Sequence, residues 1–312
     1  MKSIVPFLLI LLLASLTSAQ QLPDTSFSFD IRQPAYPEDK GPVIFIDQAH
    51  YNFHTMEGNF IAFAKLLKED GYQVKPLNSY IRTPEALNGC KILVIANALH
   101  YSNIQNWTLP TPSAFTKEEI AAIKLWVKNG GSLLLIADHM PFAGAAFDLG
   151  KAFGFEFING FAFEGSGSWP PIVFTQADKT LPSSPLSNGI QPYERIDTVT
   201  TFTGSAFFAP TAAIPVLSFS EERHVSFQPD TAWRFNAYTP WENLKGYYQG
   251  ALRKCGKGKV AVFGEAAMFT AQIVQGSVKV GFNSEWAPQN AQFTINLIHW
   301  LDGVTEYQGE KR

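Results

Sequence analysis

The chain has only two cysteines in 312 residues, Cys90 and Cys255. Two thiols are too few for a disulfide scaffold, and they have no metal-ligand spacing. Charge is also scarce: Asp, Glu, Lys and Arg make up 16% of the chain, the net charge is -3, and no basic block or stripe occurs. Nucleic acid is therefore not the expected partner, because neutralising phosphates takes clustered Lys and Arg. Past residue 19 no apolar stretch approaches the roughly 20 residues of a membrane helix, so no stable membrane span is expected once the leader is gone. Internal repeats, low-complexity tracts and a Gly-x-Ser-x-Gly nucleophile elbow are absent too.

The one long apolar run stands at the start. Lys2 precedes Ile4 to Leu13, and Thr17-Ser18-Ala19 offers a small-residue cleavage site. Residues 1–19 read as a cleaved signal peptide, which predicts a secreted or periplasmic protein. No Cys follows the cleavage site, so lipid attachment is not expected. Secretion would allow Cys90 and Cys255 to pair, and the sequence leaves that open.

Aromatics are abundant, with 26 Phe, 10 Tyr and 7 Trp. Residues 20–40 form a polar, proline-bearing lead-in, and residues 41–312 are long enough for one α/β domain with a sizeable core. A βα rhythm begins with a strand at 43–47. A helix from near Met56 follows, with Phe60, Phe63, Ala64 and Leu67 on one face and Thr55 as its cap, and Gly71 stops it. Strands are expected at 72–77, 92–96 and 132–137. Before the last of these, Thr116 and Glu119 have capping-box spacing, and Ile120, Ile123 and Val127 mark a helix ended by Gly130-Gly131. Between about 160 and 245 the rhythm breaks into Pro, Gly, Ser, Thr and aromatics, predicting a β-rich insertion with short antiparallel strands such as 214–219 and 247–252. It resumes at 259–265 and closes with a helix carrying Phe293, Leu297, Trp300 and Leu301. The expected fold class is α/β, a parallel sheet with helices on both faces.

Four apolar runs end abruptly in polar residues. Val43 to Ile46 runs into Asp47, His50, Asn52 and His54; Ile92 to Ala96 into Asn97; Leu133 to Ala137 into Asp138 and His139; Val260 to Gly264 into Glu265. As parallel strands they would gather these groups at one sheet edge, where open α/β folds bind ligands. Asp47, His50, Asp138, His139 and Glu265 are the candidate catalytic residues. Asn52, His54, Asn97 and Trp169 are candidates for substrate contact. Imidazoles beside carboxylates suit a divalent metal such as Zn²⁺, with His50, His54, Asp138 and His139 as candidate ligands. Without a metal, Asp138 or Glu265 could act as general base and His50 or His139 as acid on a glycosidic or ester bond. Trp169, Trp233, Tyr238 and Trp241 could stack on sugar rings, or form the small core of the insertion. Asp47 and Asp138 could equally cap helix N-termini.

The order of elements, the 116–136 helix and strand, and Gly256-Lys257-Gly258-Lys259-Val260-Ala261-Val262-Phe263-Gly264-Glu265 resemble the class I glutamine amidotransferase-like superfamily. Within it, the chain is most similar to branches called DUF4350 or GIFT-like domains. The resemblance covers roughly 41–158 and 256–302 and implies a flavodoxin-like, amidotransferase-like sheet. The nucleophilic Cys of glutaminase members would fall in Ala137-Asp138-His139-Met140-Pro141, which has none, so thiol-based amide transfer is not implied. The expected function is a hydrolase acting on an extracellular carbohydrate-related substrate, a small molecule or glycan. The opposing expectation is a non-catalytic carbohydrate- or peptide-binding module on the same fold.

Overall fold

The computed structural model describes residues 21–165, 171–219 and 222–304. The expected signal peptide and Trp169 lie outside the described residues. Among the described residues the central sheet has nine strands: β1 (Val43–Asp47), β2 (Gln73–Leu77), β3 (Cys90–Ala96), β4 (Ser132–Ile136), β5 (Glu156–Ile158), β6 (Ala206–Phe208), β7 (Ile214–Phe219), β8 (Tyr247–Cys255) and β9 (Gly258–Phe263). Their order is β2-β1-β3-β4-β9-β8-β6-β5, with β7 also paired to β8. The helices of the βα units are α1 (Ile61–Glu69), α2 (Lys117–Lys128) and α3 (Phe142–Ala152), and α4 (Asn290–Asp302) follows the sheet.

The five strands β2, β1, β3, β4 and β9 are parallel, and their side-chain alternation explains why they read as nearly continuous apolar runs. Ile44, Ile46, Ile92, Val94, Leu134, Ile136, Ala261 and Phe263 join Phe63, Leu67, Leu297 and Trp300 in one buried cluster. The alternate residues Leu93, Ile95, Leu133, Leu135, Val260 and Val262 join Ile123, Val127, Ala146 and Leu149 in another.

The sheet is mixed, which corrects the expectation of a parallel one. Cys255 pairs with Gly258, so only Gly256 and Lys257 join β8 to β9. A two-residue link can only reverse the chain, and Gly256 takes the left-handed φ of 61° that such a turn favours. Four antiparallel strands thus extend the sheet beyond β9. The region 160–245 contributes two of them, β6 and β7. It also supplies smaller pairings, Phe161–Glu164 with His224–Phe227 and Ile172–Thr175 with Thr198–Thr201.

The first helix starts later than its apolar stripe suggests. The Thr55 carbonyl accepts the amides of Gly58 and Phe60, holding 56–60 in a turn, and Phe60 takes the N-cap position without a side-chain cap. The Thr116–Glu119 capping box of α2 is present in both directions. Cys90 and Cys255 are free. They lie on β3 and β8, three strand spacings or about 14 Å apart, beyond the roughly 7 Å that a disulfide spans. No helix among the described residues is long and apolar enough to cross a membrane.

Candidate active site

The parallel register decides which residues meet. Ala96, Ile136 and Phe263 are side by side at the carboxyl ends of β3, β4 and β9. The chain therefore delivers Asn97, Asp138 and Glu265 to one edge, each one or two residues past its strand. His54 arrives from the loop after β1, whose Phe53 amide donates to the Asn97 carbonyl at 2.9 Å.

These residues and His139 line one cavity of about 210 Å³, with Phe53, Trp107, Phe142, Phe202, Thr203 and Trp233 as its walls. A larger cavity of about 830 Å³ lies between residues 34–39 and α1, but no imidazole lines it. Chemistry rather than size places the site at the sheet edge.

Asn97 holds the site together. It has a left-handed φ of 50°, which asparagine tolerates better than most residues. Its Oδ1 accepts the Asp138 amide at 2.9 Å, and its Nδ2 lies 3.1 Å from His54 Nδ1. Burial lowers the His54 pKa to about 4 against the opposing pull of Asp138, so this imidazole is neutral near pH 7.

Asp138 Oδ1 accepts the His139 amide at 2.7 Å, and Oδ2 is 3.4 Å from the Ala266 amide. His139 Nδ1 is 2.6 Å from the Met140 carbonyl oxygen, and its ring stacks on Phe161 at 4.4 Å and meets Trp233 edge-on at 4.8 Å. Glu265 is 1% exposed. Burial and the Asp138 charge raise its carboxyl well above the ordinary value, although the Ala267 and Met268 amides at 2.9 and 2.6 Å pull the other way. Gly204, at φ 91°, lets Phe202 and Thr203 approach. A Cβ there would lie 2.3 Å from the Gly264 carbonyl oxygen and 2.8 Å from Glu265 Cβ.

The structure does not bring Asp47, His50 and Asn52 into this cavity. His50 Nδ1 is 2.8 Å from Asp47 Oδ2 and its Nε2 is 3.0 Å from Glu119 Oε1, so both ring nitrogens are engaged. Asn52 accepts the His50 amide and donates to Asp47 and the Ala96 carbonyl. Asp47 thus partners an imidazole instead of capping a helix. His50 and Glu119 face a separate cavity of about 330 Å³ with Tyr51, Tyr80 and Tyr101.

Among the described residues, no group of three or more His, Cys, Asp or Glu side chains is arranged to hold a metal ion. Of the four candidate ligands, His50 lies apart and His54 and His139 each have Nδ1 engaged. Neither thiol lies near the site. Cys90 opens β3 and Cys255 faces the start of β9, so both sit at the opposite edge, about 20 Å away along the strands. Sequence reasoning missed Glu119, whose capping box already accounted for it, and the walls Phe53, Trp107, Phe142 and Phe202. Trp233 was singled out as an aromatic, and it lines the cavity with a left-handed φ of 64°.

The buried neutral His54 makes stability acid-sensitive. Its folded pKa is depressed to about 4 from 6.5, so the unfolded chain binds the proton first. Stability is fully present above 6.5 and declines as pH falls toward 4, by about 3 kcal/mol. Urea midpoints at pH 7 and pH 4 for wild type and His54→Phe check this, and an equal acid loss in both proteins would refute it.

No protein-family model and no curated protein matches the chain. Among solved structures, the mmIFT52 N-terminal domain aligns with a TM-score of 0.56 and 16% identity, covering 83% of this chain and 96% of that one. A thuA-like protein from Bacteroides uniformis aligns at 0.46 and 13%, covering 86% and 94%. A cytoplasmic protein from Salmonella typhimurium aligns at 0.48 and 14%, covering 83% and 98%. At such identities the first likeness bears on fold alone, and the other two are weaker.

Proposed function

We propose that the protein is a hydrolase acting on a small, neutral, carbohydrate-related substrate, with the cavity around Asp138 and Glu265 as its active site. The observation that carries this reading is the convergence of two carboxyls and two imidazoles on one confined, aromatic-walled space. Environments that drive neighbouring titratable groups apart create acid and base from similar residues. Glu265, held protonated by burial and the Asp138 charge, donates its proton to the departing oxygen as the C–O bond breaks. His139, whose Nδ1 faces the Met140 carbonyl, takes a proton from the attacking water at Nε2. Return of that proton to Glu265 restores the site.

The lining supports a neutral substrate. Among the described residues it holds the Asp138 charge and neither Lys nor Arg, so an anionic group would meet repulsion without a counter-charge. Phe53, Trp107, Phe142 and Trp233 offer faces and edges to the apolar side of a sugar ring. The parallel strands run in the order β2-β1-β3-β4-β9, and together with the 256–265 motif this supports an amidotransferase-like, flavodoxin-like relationship. With no thiol at the site, that relationship carries no thiol mechanism. The apolar leader at 1–19 supports secretion or a periplasmic location.

One observation favours a non-catalytic carbohydrate- or peptide-binding module instead. Both Glu265 oxygens accept backbone amides, as expected of an acid that shapes a loop. Turnover separates the readings. A panel of neutral nitrophenyl glycosides and acetylated sugars should contain a substrate, with anionic uronides at least tenfold poorer. Binding across the panel without cleavage of any member would establish the module.

A further inference from the structure

Two imidazoles line one cavity, and the protein has already decided which nitrogen of each carries the proton. The amide of Asp138 can only donate, so the Asn97 atom that receives it is the oxygen. That fixes the orientation of the Asn97 side chain and points its NH₂ group at His54 Nδ1. His54 Nδ1 must therefore accept, and the single proton of the neutral ring sits on Nε2. At His139 the logic inverts. The Met140 carbonyl can only accept, so His139 Nδ1 carries the proton and the neutral ring keeps its lone pair on Nε2.

Both Nε2 atoms are left for the cavity. Neither has a hydrogen-bond partner among the described residues, and neither is a buried atom shut off without one. The site therefore presents one imidazole N–H donor and one imidazole acceptor, fixed by a backbone group that cannot change role, through Asn97 at His54 and directly at His139. A hydroxyl is the group that both donates and accepts.

We infer that His54 and His139, locked in opposite tautomers by Asn97 and the Met140 carbonyl, form a donor–acceptor pair that recognises hydroxyl groups of a neutral polyol. The inference rests on the proposed site and deepens it by naming how the substrate class is read. Asn97 is a positioning residue here. It touches no substrate, but it hands the Asp138 backbone's fixed polarity to His54. A carboxylate or phosphate ligand could accept from His54 but would oppose the His139 lone pair and the Asp138 charge. A ligand without polar groups would leave both Nε2 atoms unpaired.

Nitrogen NMR of the full chain labelled at histidine, recorded near pH 7.5 without substrate, tests the first step. The expected wild-type signature is an unprotonated Nδ1 with a protonated Nε2 at His54 and the reverse at His139. In Asn97→Asp both carboxylate oxygens accept, so His54 Nδ1 becomes protonated while His139 is unchanged. The second step is titration with myo-inositol and D-glucose, with D-glucuronate as the anionic control. Either neutral polyol should perturb both Nε2 signals, bind at least tenfold more tightly than glucuronate, and lose at least tenfold in affinity in His54→Phe and in His139→Phe.

The same tautomer at both rings in the wild type would overturn the inference, and this needs no variant to fold. So would failure of both polyols to bind, or glucuronate binding as tightly as glucose. Because no step requires turnover, a chain that binds polyols through both imidazoles but cleaves no glycoside would end the hydrolase reading and leave this one standing.

Discussion

Replacing Glu265 with glutamine is expected to lower turnover by at least about 100-fold while leaving the fold in place. Glutamine keeps the size of the side chain and one acceptor for the amides of Ala267 and Met268, but it has no acidic proton. The stability response separates a catalytic acid from a structural one. A carboxyl whose folded pKa is raised binds its proton more tightly in the folded state, so its contribution weakens stability as pH rises above the unfolded value of 4.5. Glutamine removes that alkaline penalty and loses one amide interaction, about 1 kcal/mol. The variant should therefore be modestly less stable than wild type near pH 5, with the gap narrowing or reversing by pH 9. Urea melts at both pH values beside a rate assay check this. A gap that widens toward pH 9 would show Glu265 to be an ionised structural carboxylate.

The second large effect lies at His50, outside the cavity. Burial opposes charge on this imidazole, but Asp47 and Glu119 outweigh it and raise its pKa. Glu119 is likewise pushed up by burial, and the Thr116 amide and His50 more than compensate, leaving its pKa lowered. Below pH 6.5 the result is a buried acid–imidazolium–acid bridge that ties the loop after β1 to the first turn of α2. His50→Ala leaves two buried carboxylates without a counter-charge, which costs roughly 3–5 kcal/mol. Such a loss is a large share of the total stability of a domain. Because the folded pKa is raised, the His50 contribution is fully present below 6.5 and is lost as pH rises through the folded value. Denaturant titrations should show wild type weakening toward pH 9, and the gap to His50→Ala shrinking over the same range. A loss below about 1 kcal/mol at pH 6 would mean the bridge is solvated and contributes little.

These two effects divide residues that look alike in the sequence. His50 and His54 are one helical turn apart in number, yet His50 is enclosed by carboxylates and His54 borders the cavity as a neutral ring. Asn97 and Asn52 both follow strands. Asn52 spends its side chain on its own loop, while Asn97 joins the ends of β3 and β4 to the loop after β1.

Local order was legible in the chain wherever one residue's neighbours decide its state. Apolar runs of strand length, the Thr116–Glu119 capping box and the polar residues at four strand ends depend on periodicity and short-range hydrogen bonds. Long-range polarity was not legible. Gly256-Lys257 could be read as the lead into a strand, and only the pairing of Cys255 with Gly258 makes it the reversal that turns a parallel sheet into a mixed one. Glu119 was explained by its cap, and only the fold brings His50 to its other oxygen. The sequence by itself determined which residues would be buried and which strand ends would carry acids and imidazoles, because hydrophobic periodicity is local. The tertiary structure alone decided which of those groups share a cavity, because that depends on strand order and register, set by contacts between residues far apart in the chain.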